Sequence, residues 1–302
     1  MENSSDIFLY IILMIFLGYT LKRMKVLKSD DLKPLNTIIL NVAMPCMIFE
    51  AVYNIDVALF PKLFIMPVIP ILVFFLIGLI AFLILKVFNL SKSKVLNIFL
   101  PMILGNTAYL GYPIVLNIFG NDAFLMAVFF DISMPLVFLL VNVVLIINFG
   151  GNRKDIVKSF LKSPILWAIV IAVVFNILNI GVGNVLEKTM RDIGGLTVPL
   201  AMIILGASFN FSNIKDNIKI ISFISLVKLI IYPAIAFIFI LILGLGDMEF
   251  KVGILQSAMP SAVISFILAI DYKLDVNLIS SSIFLSTVLS FISLPIITHF
   301  LL

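Results

Sequence analysis

The sequence predicts an all-α polytopic membrane protein: ten transmembrane helices in two inverted five-helix repeats, with helices four and nine broken. Three observations predict it. Hydrophobic residues make up 63% of the chain, charged residues 12%, and the mean hydropathy is +1.26; a soluble domain is about half apolar and about a quarter charged. The apolar residues gather into ten runs near the ~20 residues that a bilayer requires. The basic residues between those runs fall mostly on alternate connections, as they do when one side is cytoplasmic.

The runs lie at about 6–22, 34–53, 63–86, 95–119, 123–148, 164–181, 195–210, 219–244, 250–270 and 277–301. The first follows an acidic start, Met1-Glu2-Asn3-Ser4-Ser5-Asp6, without a small-residue cleavage pattern, and is expected to be a retained span. Lys22, Arg23, Lys25, Lys28 and Lys33 follow it. Lys86, Lys92 and Lys94 follow the third span, Arg153, Lys154, Lys158 and Lys162 the fifth, and Lys215, Lys219 and Lys273 the seventh and ninth. The opposite side holds Lys62, Lys188, Arg191 and Lys251. Positive residues stay inside, so both termini are expected outside a cytoplasmic membrane. The connections 149–163 (Ile156, Phe160, Leu161) and 182–194 (Val185, Leu186, Met190) are amphipathic and are expected along the membrane surface.

This distribution excludes several functions. The net charge of +4 sits in connections between spans, which fits a bilayer partner and not nucleic acid. One cysteine, Cys46, rules out an internal disulfide or a multi-cysteine metal site, and one histidine, His299, rules out a histidine-built active site. No phosphate-binding G-x-x-x-x-G-K-[ST] loop is present, so this chain alone is not expected to be an ATP-driven pump.

The repeats are read as 1–150 and 151–302. Pro45 in span two is matched by Pro199 in span seven, and Pro135 in span five by Pro295 in span ten. Span four breaks at Gly105-Asn106-Thr107-Ala108-Tyr109-Leu110-Gly111-Tyr112-Pro113, and span nine at Gln256-Ser257-Ala258-Met259-Pro260-Ser261-Ala262. Glycine and proline break helices, and an unpaired backbone group in hydrocarbon costs several kcal/mol, so such breaks shelter in protein or line a polar cavity. Paired interruptions mark a transported-solute site. Half-helices starting near Pro113 and Pro260 would aim positive ends at the midplane, which favours an anion, whereas the carbonyls freed at Gly105 and Ser257 would favour a cation. The candidate substrate-binding residues are Gly105, Asn106, Thr107, Pro113, Gln256, Ser257, Pro260, Ser261 and, on span two, Asn41 with Asn36 and Thr37 nearby.

Two charges lie inside spans. Asp131 and Lys228 each sit about 13 Å along their helices, near the middle of the core. Asp131 shares a face with Pro135 and Asn142, and Lys228 with Ser225 and Tyr232. Two readings stand: an ion or proton coupling site, or a buried ion pair that locks spans five and eight. Ser280, Ser281, Ser282, Ser286, Thr287, Ser290 and Ser293 on span ten, and Gly206, Ala207 and Ser208 on span seven, read as close helix packing. Glu50 lies near a span end.

These features resemble the auxin efflux carrier family of permeases, over essentially the whole chain. The resemblance is carried by Asn41-Val42-Ala43-Met44-Pro45, the Gly105–Pro113 stretch, Pro199 to Phe209, Lys228 with Pro233, and Met259 to Ala269. It implies a fold similar to the bile-acid sodium symporters. Spans 1, 2, 6 and 7 would be a scaffold, and spans 3–5 and 8–10 a transport domain whose helices four and nine cross at Pro113 and Pro260. It implies elevator movement, a homodimer through the scaffold, and Asn106 as a substrate contact. Ala108 stands where many relatives have glycine, and the long central loop of many plant carriers is absent, which argues against auxin itself.

The expected function is that of a secondary transporter or uniporter for a small organic anion, such as a carboxylate. No cofactor is expected; sodium, a proton or no ion are the coupling alternatives. A transporter of another small solute, a channel and a membrane-embedded enzyme are the rivals. The last would want a Ser–His pair, a zinc motif or facing aspartates, none of which the sequence offers.

Overall fold

The computed structural model describes residues 4–88, 92–133, 137, 163–208 and 217–302. Those residues are mostly helical, with no named strand among them. Among the described residues, five helices are long and apolar enough to cross a membrane: Asp31–Tyr53, Phe60–Ala81, Asn184–Ala207, Ile218–Leu243 and Val276–Leu301. The expectations at Pro135, Asn142, Lys215 and the connection 149–163 lie outside the described residues.

In chain order, α1 is Ser4–Arg23. Helix α2, Ser29–Ile38, runs through the π turn Ile39–Ala43 into α3, Met44–Tyr53. Helices α4, Phe60–Ile65, and α5, Val68–Phe88, follow, then α6, Lys92–Ile103. After a gap comes the π turn Thr107–Gly111, which leads into α7, Tyr112–Phe119, and α8, Asn121–Ile132. The second half begins with α9, Pro164–Ile177, α10, Asn184–Gly194, and α11, Thr197–Ser208. Helix α12, Ile218–Leu226, passes through the π turn Val227–Ile231 into α13, Tyr232–Leu243. Helices α14, Asp247–Ser257, α15, Ile264–Asp271, and α16, Val276–Leu301, complete the chain.

One local rule shapes three of these helices. Each π turn ends two residues before a proline: Pro45, Pro113 and Pro233. A proline has no N–H, and its ring collides with the carbonyl four residues back. The wider π turn absorbs that conflict, so the helix passes the proline without ending.

Helices α1, α2–α3, α9 and α10–α11 pack on one another. Gly18 of α1 lies against the Ile203 carbonyl, and Gly206 of α11 lies against the Ile15 carbonyl, so α1 and α11 run antiparallel almost backbone to backbone. Asn176 on α9 donates from Nδ2 to the carbonyls of Tyr53 and Ile55, at 2.8 and 2.9 Å. The connection 182–194, expected along the membrane surface, forms the helix α10, which leads into α11. Packing holds it: Gly194 lies on the Met47 backbone, where any Cβ would collide, and Arg191 reaches Glu50 at 2.9 Å and Glu187 at 3.0 Å.

Helices α4, α5, α7 and α14 pack on α8, whose Phe124, Phe129 and Phe130 are fully buried. Gly253 of α14 admits Ile240 of α13 and Ile69 of α5 to one junction. On α16, Ser282, Ser286, Thr287 and Ser290 each donate to a carbonyl of their own helix, at 2.7–3.1 Å. Bonded this way, these four hydroxyls let an interior helix face stay small and internally satisfied, whereas Ser281 Oγ and Ser293 Oγ are buried without a partner. Large apolar side chains face outward on α1, α5 and α13, among them Phe16, Leu79 and Ile242. That is the reverse of a water-facing surface.

Candidate binding site

Residues 104–106 and 258–263 interrupt two helices, and the structure brings the interruptions together. Gly105 and Ser261 form an isolated antiparallel bridge. The Asn106 N–H donates to the Pro260 carbonyl at 2.7 Å, and the Ala262 N–H donates to the Leu104 carbonyl at 2.8 Å. Each break thus satisfies one donor and one acceptor of the other, which is how broken backbone is tolerated away from water.

Side chains lock this crossing. Ser261 donates from Oγ to the Pro101 carbonyl at 2.6 Å, and its N–H donates to Ser286 Oγ at 3.2 Å. Ser265 Oγ points at the Leu100 carbonyl at 3.4 Å. The Pro101 carbonyl, which the end of α6 leaves over, is covered in this way, while the Leu100 carbonyl also accepts from the Leu104 N–H at 3.1 Å. Ser261 is therefore committed to structure. Ser261→Ala is expected to leave the Pro101 carbonyl buried and unpaired, and to cost about 1–3 kcal/mol, read as a lower unfolding midpoint in detergent.

Other polar groups at the crossing have no partner. Asn106 Nδ2, both Gln256 amide atoms and Ser257 Oγ are buried without a hydrogen bond. Gln256 is 0% exposed and Asn106 4%. Gln256 lies on the bare backbone of Gly111, where a Cβ would come within 2.2 Å of its Oε1. Native interiors rarely leave buried polar groups unpaired, so this cluster is the strongest mark of a ligand position. Asp131 borders it: the hydroxyls of Thr107 and Tyr112 face its carboxyl, while its Oδ1 is buried without a partner. The Lys228 ammonium lies 3.7 Å above the Tyr232 ring. No ion pair among the described residues joins Asp131 to Lys228, so the two do not form the direct lock that one reading allowed.

The half-helix starts differ from expectation. The second part of the first broken helix begins at Thr107, not near Pro113, because the π turn carries the chain smoothly into the proline. That of the second begins at Ile264, not near Pro260, because residues 260–262 are extended and spent on the bridge. Pro113 and Pro260 are buried and shape backbone. Gly105 admits the bridge, and its carbonyl accepts from Thr107 Oγ1 at 3.4 Å. Asn41 is exposed on its π turn, whereas Asn36, one helical turn earlier, accepts a hydrogen bond from the Tyr109 hydroxyl. Gly111 and Tyr112 were missed as site residues. The glycine inside the broken stretch was the available signal.

A family model described as membrane transport protein matches residues 5–163 and 151–298. An uncharacterized transporter of Methanothermobacter thermautotrophicus is 33% identical over 294 residues, 97% of each chain. An uncharacterized transporter of Methanocaldococcus jannaschii is 30% identical over 291 residues, 94% of each. A probable auxin efflux carrier component of Oryza sativa is 27% identical over 146 residues, 46% of this chain and 34% of its own length.

Proposed function

Because the chain belongs to the membrane transport protein family, that of the auxin efflux carriers, we propose that this multi-pass transporter carries a small organic anion, a carboxylate, across the cytoplasmic membrane. Family and relatives are transporters and not enzymes. The observation that carries the anion reading is the unpartnered polar cluster of Asn106, Gln256 and Ser257 at the crossing. Asn106 Nδ2 can only donate, and the amide of Gln256 and the hydroxyl of Ser257 can donate beside it. The N–H groups that open the π turn at Thr107 add a positive pole, and the Lys228 ammonium a full charge. A carboxylate fits such donors.

The packing supports a reading of alternating access. Helices α1, α2–α3, α9 and α10–α11 serve as the fixed scaffold, and the crossing with α5, α8, α12–α13 and α16 moves past them as an elevator. The close glycine contacts inside the scaffold support its rigidity. The Tyr109–Asn36 hydrogen bond reaches from the crossing to the scaffold and is of a kind that breaks and re-forms cheaply. The reciprocal bridge between the breaks supports two inverted repeats of five spans, and the excess of basic residues on one side supports termini outside.

Purified protein in proteoliposomes, given a panel of radiolabelled carboxylates, amines and neutral sugars, tests the reading. The expected result is saturable flux of one or more carboxylates, accelerated by the same carboxylate on the far side. Counterflow of an amine or a sugar with none for any carboxylate would overturn the anion, and unitary currents in a planar bilayer would overturn the carrier.

A further inference from the structure

We infer that the ammonium of Lys228 is a tethered cation of the crossing: it neutralises the carbonyl end of α6 where a bound metal ion would otherwise be required. Lys228 is 1% exposed. Its Nζ presses on Gly105, the second residue past the end of α6, so closely that a Cβ there would lie 3.1 Å from Nζ and 3.4 Å from Cε. The bare glycine is the notch that receives the ammonium.

The surroundings suit a cation. The last four carbonyls of a helix carry the negative pole of its dipole. Neutral hydroxyls cover two of those of α6, Leu100 and Pro101. The face of Tyr232 lies 3.7 Å from Nζ and attracts a positive charge through its ring quadrupole. Among the described residues Asp131 makes no ion pair with Lys228. The π turn Val227–Ile231 fixes the lysine's place, because Pro233 forces the helix to widen under it. The two broken helices are therefore unequal. The end of α6 meets the Lys228 side chain, whereas the end of α14 presents the neutral, unpartnered Gln256 and Ser257. With a cation tethered to the chain, the crossing needs no sodium ion to form, and the anion meets a group that cannot leave the site.

This inference rests on the same crossing as the carrier reading, but stability tests it, so either can fail alone. Melting in detergent is compared for the wild type, Lys228→Met and Lys228→Ala. Lys228→Met keeps the bulk and loses the charge, and is expected to melt about 5–10 °C lower. Propylammonium, which replaces the atoms that Lys228→Ala removes, is expected to restore at least half of that variant's loss and leave the wild type unmoved; 1-propanol is expected to restore none. A Met variant that melts with the wild type, or equal rescue by amine and alcohol, overturns the inference. The wild type gives a further measurement that needs no variant to fold. Its melting temperature is expected to be equal in sodium chloride and N-methylglucamine chloride, and a saturable rise specific to sodium overturns the tethered cation.

Discussion

Asn106→Ala is expected to weaken carboxylate binding about 10–100-fold and to leave the melting temperature unchanged or slightly higher. The backbone of Asn106 and its side chain have separate duties. The N–H donates to the Pro260 carbonyl, and the carbonyl accepts from Leu110 and Gly111 in the π turn. None of these bonds needs the side chain. The amide Nδ2 is buried and unpartnered, so in the empty protein it is a cost, and removing it relieves that cost. With substrate bound, the same group donates to a charged oxygen, a bond worth about 1.5–3 kcal/mol and hence the stated loss. Counterflow titrations on the variant, paired with a melting curve, separate the two effects. A fall in melting temperature equal to the loss of binding would make Asn106 a structural residue like Ser261 and would remove it from the site.

The parts of this architecture that depend on chain chemistry alone were legible in the sequence. Proline announced both interruptions, with glycine at the first, and the polar residues beside them marked the candidate site. How each interruption is resolved was not legible. A proline removes a hydrogen bond, but whether the helix ends or widens into a π turn depends on what packs against the freed carbonyl. At Pro113 it widens, and at Pro260 the chain extends because the opposite break supplies partners at Leu104 and Asn106. That pairing joins residues some 155 positions apart and leaves no local trace. The serines divide for the same reason. Ser257 and Ser261 read alike in sequence, yet Ser261 reaches the Pro101 carbonyl while Ser257 reaches nothing. Asn41 and Asn36 likewise share a helix, and only the three-dimensional phase set by the π turn between Ile39 and Ala43 determines which faces Tyr109. Lys228 was recognised as an intramembrane charge, but its contact with Gly105 depends on the crossing and emerges only from the fold.

The largest stability effect is expected at the contact between α1 and α11. A Cβ on Gly206 would lie 1.8 Å from the Ile15 carbonyl oxygen and 3.0 Å from the Tyr19 nitrogen, and a Cβ on Gly18 would lie 2.0 Å from the Ile203 carbonyl oxygen. Every one of these neighbours is backbone, so no rotamer change makes room and the helices must separate. Separation strips dispersion contacts along both helices, Ile11 and Ile15 of α1 and Met202 and Leu205 of α11 being buried there. Gly206→Ala and Gly18→Ala are each expected to cost about 3–5 kcal/mol, beyond the usual range for a single added methyl group, and to reduce the yield of folded protein in detergent. The two substitutions should not add. Residues 15 and 18 face residues 206 and 203 across one antiparallel contact, so a single separation accommodates both methyl groups and the double variant should lose little more than either alone. A double-mutant cycle read by thermal unfolding measures that coupling. Neither glycine touches the crossing, so the surviving folded fraction should bind carboxylate with wild-type affinity, the converse of Asn106→Ala. Full additivity, or a loss of affinity without loss of stability, would show that the spacing of α1 and α11 is not what the two glycines set.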